Sequence, residues 1–307
     1  MGKIAFVFPG QGAQAVGMGK DAYESNESAR AIYVQADEAL GFSIAKLSFE
    51  GPEEELRQTA NTQPALLATS VALLETYREQ GGLKPDYVAG HSLGEYSALV
   101  AAGVLGFSDA VRLVRARGRF MEEAVPGGQG AMAAVLGAER SALQALCADI
   151  SAAGAVVELA NVNCPGQIVV SGSAEGVAAV VERGKEAGAK RVIPLEVSGP
   201  FHSSLMQPAA ERLAAELEKA EFREAQVPVV ANVHARPVTS GNELRELLVK
   251  QVVSPVQWED TIAFLIGEGV DTFVEIGSGT VLAGLIKKID RSVKVISVNS
   301  AAAAVGQ

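Results

Sequence analysis

Residues 4–8, Ile-Ala-Phe-Val-Phe, form an unbroken apolar run that stops at Pro9-Gly10. A strand with no polar alternation has no face to give to water. Both faces must be covered, which is the condition of a strand in a parallel sheet flanked by helices. Parallel neighbours need helical crossovers, and the following segments supply them. Residues 65–80 carry helical apolar spacing, with Thr62 as the expected cap and Pro64 near the first turn. Residues 87–90 are a second short strand. Residues 93–105 read as an Ala-rich helix, and Ser108 is expected to cap another that runs to about Val125. This alternation implies a doubly wound α/β sheet.

The pattern breaks at Pro126-Gly127-Gly128-Gln129-Gly130. Beyond it the spacing predicts strand 131–136, helix 139–150, strand 156–163, strand 167–171, helix 175–187 and strand 191–197. This β-α-β-β-α-β order is that of a ferredoxin-like subdomain, self-contained within residues 127–198. The alternative is that these elements extend the main sheet. From Ser203 the first pattern resumes, with a long helix ending near Glu221 and strands at 227–233, 272–276 and 293–298. The tail from Ser300 is expected to fray. Residues 1–126 and 199–307 would then make one domain and 127–198 the second.

The net charge is −10, from 36 acidic and 26 basic residues, which disfavours nucleic acid and anionic membrane as partners. Cys147 and Cys164 are too few for a disulfide framework and fit a reducing compartment. The opening residues lack a signal-peptide cleavage region, and no apolar run reaches the roughly 18 residues of a membrane span. A cytoplasmic protein is expected. The glycine turn Phe8-Pro9-Gly10-Gln11-Gly12-Ala13-Gln14 lacks both the Lys-Ser/Thr of a P-loop and Gly-x-Gly-x-x-Gly spacing, so no nucleotide cofactor is expected. It could offer a backbone N–H to an oxyanion, or be a plain strand-to-helix turn.

Gly90-His91-Ser92-Leu93-Gly94 follows the second strand and opens a helix, the setting of a nucleophile elbow. Small residues at 90 and 94 allow the sharp turn, and the helix N-terminus points at the carbon where negative charge develops. Ser92 could also serve only as a helix cap. A serine hydroxyl needs a base, and the chain has three histidines. His91 should project away from Ser92 and buttress the turn. His234, at a strand exit, reads as a surface or structural residue. His202, in the turn-rich Ser198-Gly199-Pro200-Phe201-His202-Ser203, is the favoured base.

Taken together, several segments make the chain resemble the malonyl-CoA:acyl carrier protein transacylases nearly end to end. They are Phe8-Pro9-Gly10-Gln11-Gly12, Gln63-Pro64-Ala65, Gly90-His91-Ser92-Leu93-Gly94-Glu95-Tyr96-Ser97-Ala98-Leu99, Arg117-Gly118-Arg119-Phe120-Met121, Ser198 to Ser203, and Glu275-Ile276-Gly277. The resemblance implies an α/β-hydrolase-like core with a parallel sheet and an inserted ferredoxin-like subdomain. It implies Ser92 as the acylated residue, His202 as its base, and an oxyanion hole from the backbone N–H groups of Gln11 and Leu93. The base would be oriented by the Gln251 carbonyl rather than by an Asp. Arg117 would hold the malonyl carboxylate as a bidentate pair, although it sits on a helix with Arg112, Arg115 and Arg119. Helical spacing keeps these four from sharing one face.

The resemblance further places Phe201 beside the malonyl α-carbon. Relatives that accept methylmalonyl tend to have smaller residues there and Gln where this chain has Leu93. Met121 and His91 would complete the substrate-binding set. The partners implied are malonyl-CoA and acyl carrier protein, met by a monomer. An acidic carrier needs a local basic patch, for which Lys190-Arg191 and Lys287-Lys288-Arg291 are the candidates. The competing functions are a serine thioesterase or acylhydrolase, a free-standing polyketide extender-unit acyltransferase, and a carrier-binding module with a vestigial site.

Overall fold

The structure, a computed structural model, describes residues 2–305. Its larger sheet has six strands in the order β11-β10-β1-β2-β7-β8: Lys294–Val298, Val270–Ile276, Lys3–Phe8, Tyr87–Gly90, Val229–Val230 and Pro237–Val238. All neighbours are parallel except the β7–β8 edge pair. The opening apolar run behaves as its composition requires. Phe6 and Phe8 enter the core on one face of the sheet and Ala5 and Val7 the core on the other, all four fully buried. Helices Thr59–Glu79, Gly94–Ala101 and Phe107–Glu123 belong to the Phe6/Phe8 side, and Trp258–Gly267 and Val281–Ile289 to the opposite side.

The second sheet has the order β6-β3-β5-β4-β9: Arg191–Pro194, Gly130–Leu136, Gln167–Ser173, Val157–Cys164 and Val256–Gln257. Its first four strands are antiparallel and follow the ferredoxin-like order, with helices Arg140–Ala152 and Ala174–Arg183 sharing a separate apolar core. The fifth strand was not expected. It comes from beyond Gln251 and pairs parallel with β4, Asn161 against Val256, so the second sheet is not self-contained. The sheet face opposite the helices, at Met132, Asn161 and Val169, turns toward the end of the larger sheet.

Several expected boundaries shift for local reasons. The helix expected over 65–80 with Thr62 as its cap begins at Thr59, and the Thr62 hydroxyl bonds back to the Leu56 and Gln58 carbonyls (2.5 and 3.1 Å) instead of capping. Ser108 is not a cap either. Gly106 is, and the Ser108 hydroxyl accepts from Gln35. The helix expected over 93–105 ends at Ala101. The strand expected over 227–233 is only Val229–Val230, and the last small-sheet strand stops at Pro194. The long helix after Ser203 is a 3₁₀ turn, Ser204–Met206, followed by Gln207–Leu217. The tail is tied down as far as Ala304: Ala301 N–H donates to Asp21 (2.6 Å) and Ala304 is buried. Gly306 and Gln307 lie outside the described residues. No helix among the described residues is long and apolar enough to cross a membrane.

One carboxylate ties the larger sheet to the helix beside the site. Glu275, at the end of β10, is fully buried and accepts from the Leu282 and Ala283 N–H groups (3.0 and 2.8 Å) in the first turn of Val281–Ile289. Burial outweighs these bonds and pushes its carboxyl up to about 7 from an ordinary 4.5. The folded state therefore keeps a proton that the unfolded chain releases at lower pH. The stability this adds is full below about 4.5 and is lost as pH rises through about 7. Glu275→Gln keeps an acceptor but removes the titration. In thermal melts, the Tm of the variant relative to wild type should rise with pH across that interval. A difference independent of pH would contradict this.

Candidate active site

The site begins where two neighbouring parallel strands end together. β1 and β2 are in register with Phe8 opposite Gly90, and the turns after them touch. A Cβ on Gly10 would lie 2.3 Å from the His91 carbonyl oxygen and 3.7 Å from the Leu93 nitrogen. Gly90 and Gly94 are fixed by contact. A Cβ on Gly90 would meet Gly94 backbone at 1.9 Å, and one on Gly94 would meet the Phe8 carbonyl at 2.1 Å. Between them Ser92 adopts φ 50°, a left-handed backbone unfavourable for a residue with a side chain. Asn232, from the segment after β7, holds it there. Its Oδ1 accepts from Ser92 N–H (2.8 Å) and its Nδ2 donates to the Gly90 carbonyl (2.7 Å).

Ser92 Oγ lies 2.7 Å from His202 Nε2, and His202 Nδ1 lies 2.9 Å from the Gln251 carbonyl. A carbonyl can only accept, so Nδ1 carries the proton and Nε2 offers its lone pair to the serine hydroxyl. His202 is 4% exposed. Burial first, and the Arg117 cation second, push its imidazole down to about 3. His202 is thus neutral through the physiological range and able to take a proton. The other histidines do not bond Ser92. His91 Nε2 is 2.7 Å from Asn163 Oδ1, and its ring packs against Trp258 with centroids 5.5 Å apart. Among the described residues, the His234 ring bonds only to the nearby Arg236 N–H.

Arg117 is separated from its neighbours as helical spacing requires. Arg112 pairs with Asp109 at the surface, and Arg115 bonds Asn61 and lies over Phe42. Arg117 is 1% exposed. Its Nη1 donates to Gln63 Oε1 (2.8 Å), and its Nη2 to Gln251 Oε1 (2.9 Å) and Ser92 Oγ (3.1 Å). All three acceptors are neutral, Nε has no partner, and no carboxylate among the described residues lies within salt-bridge distance. Glu95 is the buried acid that acts on it electrostatically. Glu95 Oε2 accepts from Asn232 N–H and from Gln251 Nε2, both at 3.0 Å. Burial pushes this carboxyl up to about 7, against those bonds and the pull of Arg117.

A cavity of about 510 Å³ opens over Ser92 between the end of the larger sheet and the face of the smaller one. Gln11, Leu93, Arg117, Met121, Phe201 and His202 line it, and His91 forms part of its wall. The Gln11 and Leu93 backbone N–H groups have no hydrogen-bond partner among the described residues. Of the nine residues assigned to the site from the sequence, eight line this cavity, and Gln251 joins them by bonding His202 through its carbonyl and Arg117 through its side chain. Sequence reasoning missed Asn232, Glu95, Gln63 and Asn163 as parts of this site. Gln63 and Glu95 stand inside the matched motifs, and Asn232 stands two residues before a histidine that drew attention instead.

Residues 5–306 match the acyl transferase domain model. The chain is 55% identical over 299 residues to the malonyl CoA-acyl carrier protein transacylase of Bacillus subtilis, covering 97% of this chain and 94% of that protein. The malonyl CoA-acyl carrier protein transacylase structure from Coxiella burnetii superposes with a TM-score of 0.96 at 42% identity, over 99% of this chain and 96% of that one. A malonyl-transacylase solved in complex with its type II PKS acyl-carrier protein gives a TM-score of 0.95 at 45% identity, over 98% of this chain and 97% of that one. By its sequence and by its fold, the chain belongs to the acyl transferase domain family.

Proposed function

We propose that this chain transfers a malonyl group from malonyl-CoA to the phosphopantetheine thiol of an acyl carrier protein through a malonyl-Ser92 ester. The observation that carries the reading is Arg117: a buried cation next to the nucleophile, holding only neutral partners. A guanidinium so placed is matched by an anion, and a three-carbon diacid esterified at Ser92 can turn its free carboxylate back to it. The relatives' names agree in substrate and acceptor.

The steps follow from the hydrogen bonds. Ser92 Oγ attacks the thioester carbon as its proton passes to His202 Nε2, and the new imidazolium is held through Nδ1 by the Gln251 carbonyl. The oxyanion faces the free N–H groups of Gln11 and Leu93. When the C–S bond breaks, CoA thiolate takes the proton from His202. In the second half the carrier thiol gives its proton to His202 and attacks the ester, and Ser92 recovers a proton as the C–O bond breaks. Phe201, 6% exposed on the cavity wall, would crowd a methyl branch on the α-carbon. A hydrolase of acyl groups without a free carboxylate would have no use for a cation at this place. Transfer to a polyketide carrier is a second reading with one observation in its favour, the type II PKS carrier of the matched complex.

One chain completes this site, so a monomer suffices. We assign residues 1–126 and 199–307 to the catalytic domain and 127–198 to the ferredoxin-like one. Lys190 and Lys288, one from each basic cluster, are linked through a short run of neighbours to the cavity rim. Lys190 packs on Gly137, Gly137 N–H donates to the Gly166 carbonyl (2.8 Å), and Lys288 bonds the side chain of Gln167, which lines the cavity. An acidic carrier protein would dock there.

Intact-protein mass spectrometry after malonyl-CoA should show one malonyl adduct on wild type and none on Ser92→Ala. His202→Ala should load about 10²–10⁴-fold more slowly. Arg117→Ala should lose about 10²-fold in malonyl loading but far less in acetyl loading, and Arg117→Lys should not restore the difference. Equal losses with the two thioesters would remove the clamp, and an adduct surviving in Ser92→Ala would remove the ester. Transfer to the carrier should slow with added salt, and Lys190→Glu with Lys288→Glu should flatten that dependence. A salt-independent transfer rate would exclude docking beside these lysines.

A further inference from the structure

Gln251 serves the site at two ends. Its backbone carbonyl holds His202, and its side-chain Oε1 accepts from Arg117. A primary amide can be turned over with little change in shape, exchanging oxygen for NH₂. Turned over, Gln251 would set donor against donor at Arg117. What decides its orientation is the other side of the amide. There Nε2 faces three acceptors: the Ser92 carbonyl (3.0 Å), Glu95 Oε2 (3.0 Å) and Asn232 Oδ1 (3.2 Å). Only one of the three is acidic, and it is the one that also fixes Asn232 through that residue's N–H. Asn232 in turn holds the Ser92 N–H and the Gly90 carbonyl. Glu95 is fully buried in the first turn of the helix that follows Ser92, and its second oxygen has no partner. A carboxylate left half-bonded in the core calls for a reason other than packing.

We propose that Glu95 is a positioning residue for the transfer reaction: by accepting from Gln251 Nε2 and Asn232 N–H with one oxygen, it sets the Gln251 amide so that Arg117 meets an acceptor. Arg117 is thereby held in the pose that receives the substrate carboxylate. The inference rests on the malonyl reading of the site and assigns selectivity within it to a residue that touches neither substrate nor reacting atoms. What the carboxylate contributes is reach, two accepting contacts at a fixed distance from the helix. Its charge is secondary, since a neutral amide oxygen at the same place accepts equally well.

Two substitutions separate reach from charge. Glu95→Gln keeps the length and an accepting oxygen but removes the charge. Glu95→Asp keeps the charge but retracts the oxygen by one methylene. The readout is the ratio of malonyl to acetyl loading on Ser92 from the two CoA thioesters, alongside thermal melts. Glu95→Gln is expected to keep the wild-type ratio. Glu95→Asp is expected to lower it by at least about tenfold, the scale of one charge-assisted hydrogen bond lost at Arg117. The reverse order, equal impairment of both, or an unchanged ratio in both would overturn the assignment. If one variant does not fold, the other decides alone: a lowered ratio in Glu95→Gln, or an unchanged one in Glu95→Asp, overturns it. Wild type that takes no malonyl at all would instead overturn the malonyl reading, and this inference with it.

Discussion

A guanidinium buried beside a serine hydroxyl governs the rest of this structure. Taking Arg117 out of water costs several kcal/mol, and the fold offsets this with Gln63, Gln251 and Ser92 as acceptors, with Glu95 as the nearby opposite charge. The cation has consequences for its neighbours. It helps to keep His202 neutral, so the base is ready before substrate arrives. In the proposed reading it also favours a substrate carboxylate over a neutral group, because an acyl group without one would leave Arg117 with neutral partners only. Arg117 thus adds to what burial, the larger cause, already does to the His202 imidazole.

The position of the site follows from the topology. β1 leads on to β2 on one side, while its other neighbour β10 leads on to β11 on the far side, so the connections after β1 and β10 run in opposite directions and a crevice opens at the carboxyl ends of the strands. The Gly10–Gln11 turn and the Ser92 turn both stand at that edge. The smaller sheet roofs the crevice, and β9 couples the two parts, since it follows Gln251 by only a few residues and pairs with β4. The residue that orients His202 is therefore tied to the roof as well as to the floor.

Much of this was legible in the sequence, and the reasons are local. Ile4 to Phe8 could only be a strand covered on both faces, and the elbow glycines could only be small because backbone passes within a Cβ radius of them. The four strands of the insert were legible because each carries its own apolar pattern. What was not legible depends on partners remote in sequence. Asn232 is 140 residues from the Ser92 N–H it holds, and the Gln251 side chain is 134 from Arg117. No spacing rule reaches that far. β9 is two residues long and owes its existence to β4, so it left no periodic trace. The displaced caps at Thr62 and Ser108 show the same limit: both hydroxyls found carbonyl or amide partners other than the helix end, through contacts that the local pattern does not specify.

The most direct test of the central interaction is the pH dependence of kcat/KM for loading Ser92, which reports the base in the free enzyme. With His202 pushed down to about 3 by burial and by Arg117, the acid limb should lie far below the ordinary imidazole value of 6.5. It should move upward in Arg117→Ala. A wild-type limb near 6.5, unmoved by loss of Arg117, would contradict a neutral base set by a buried cation.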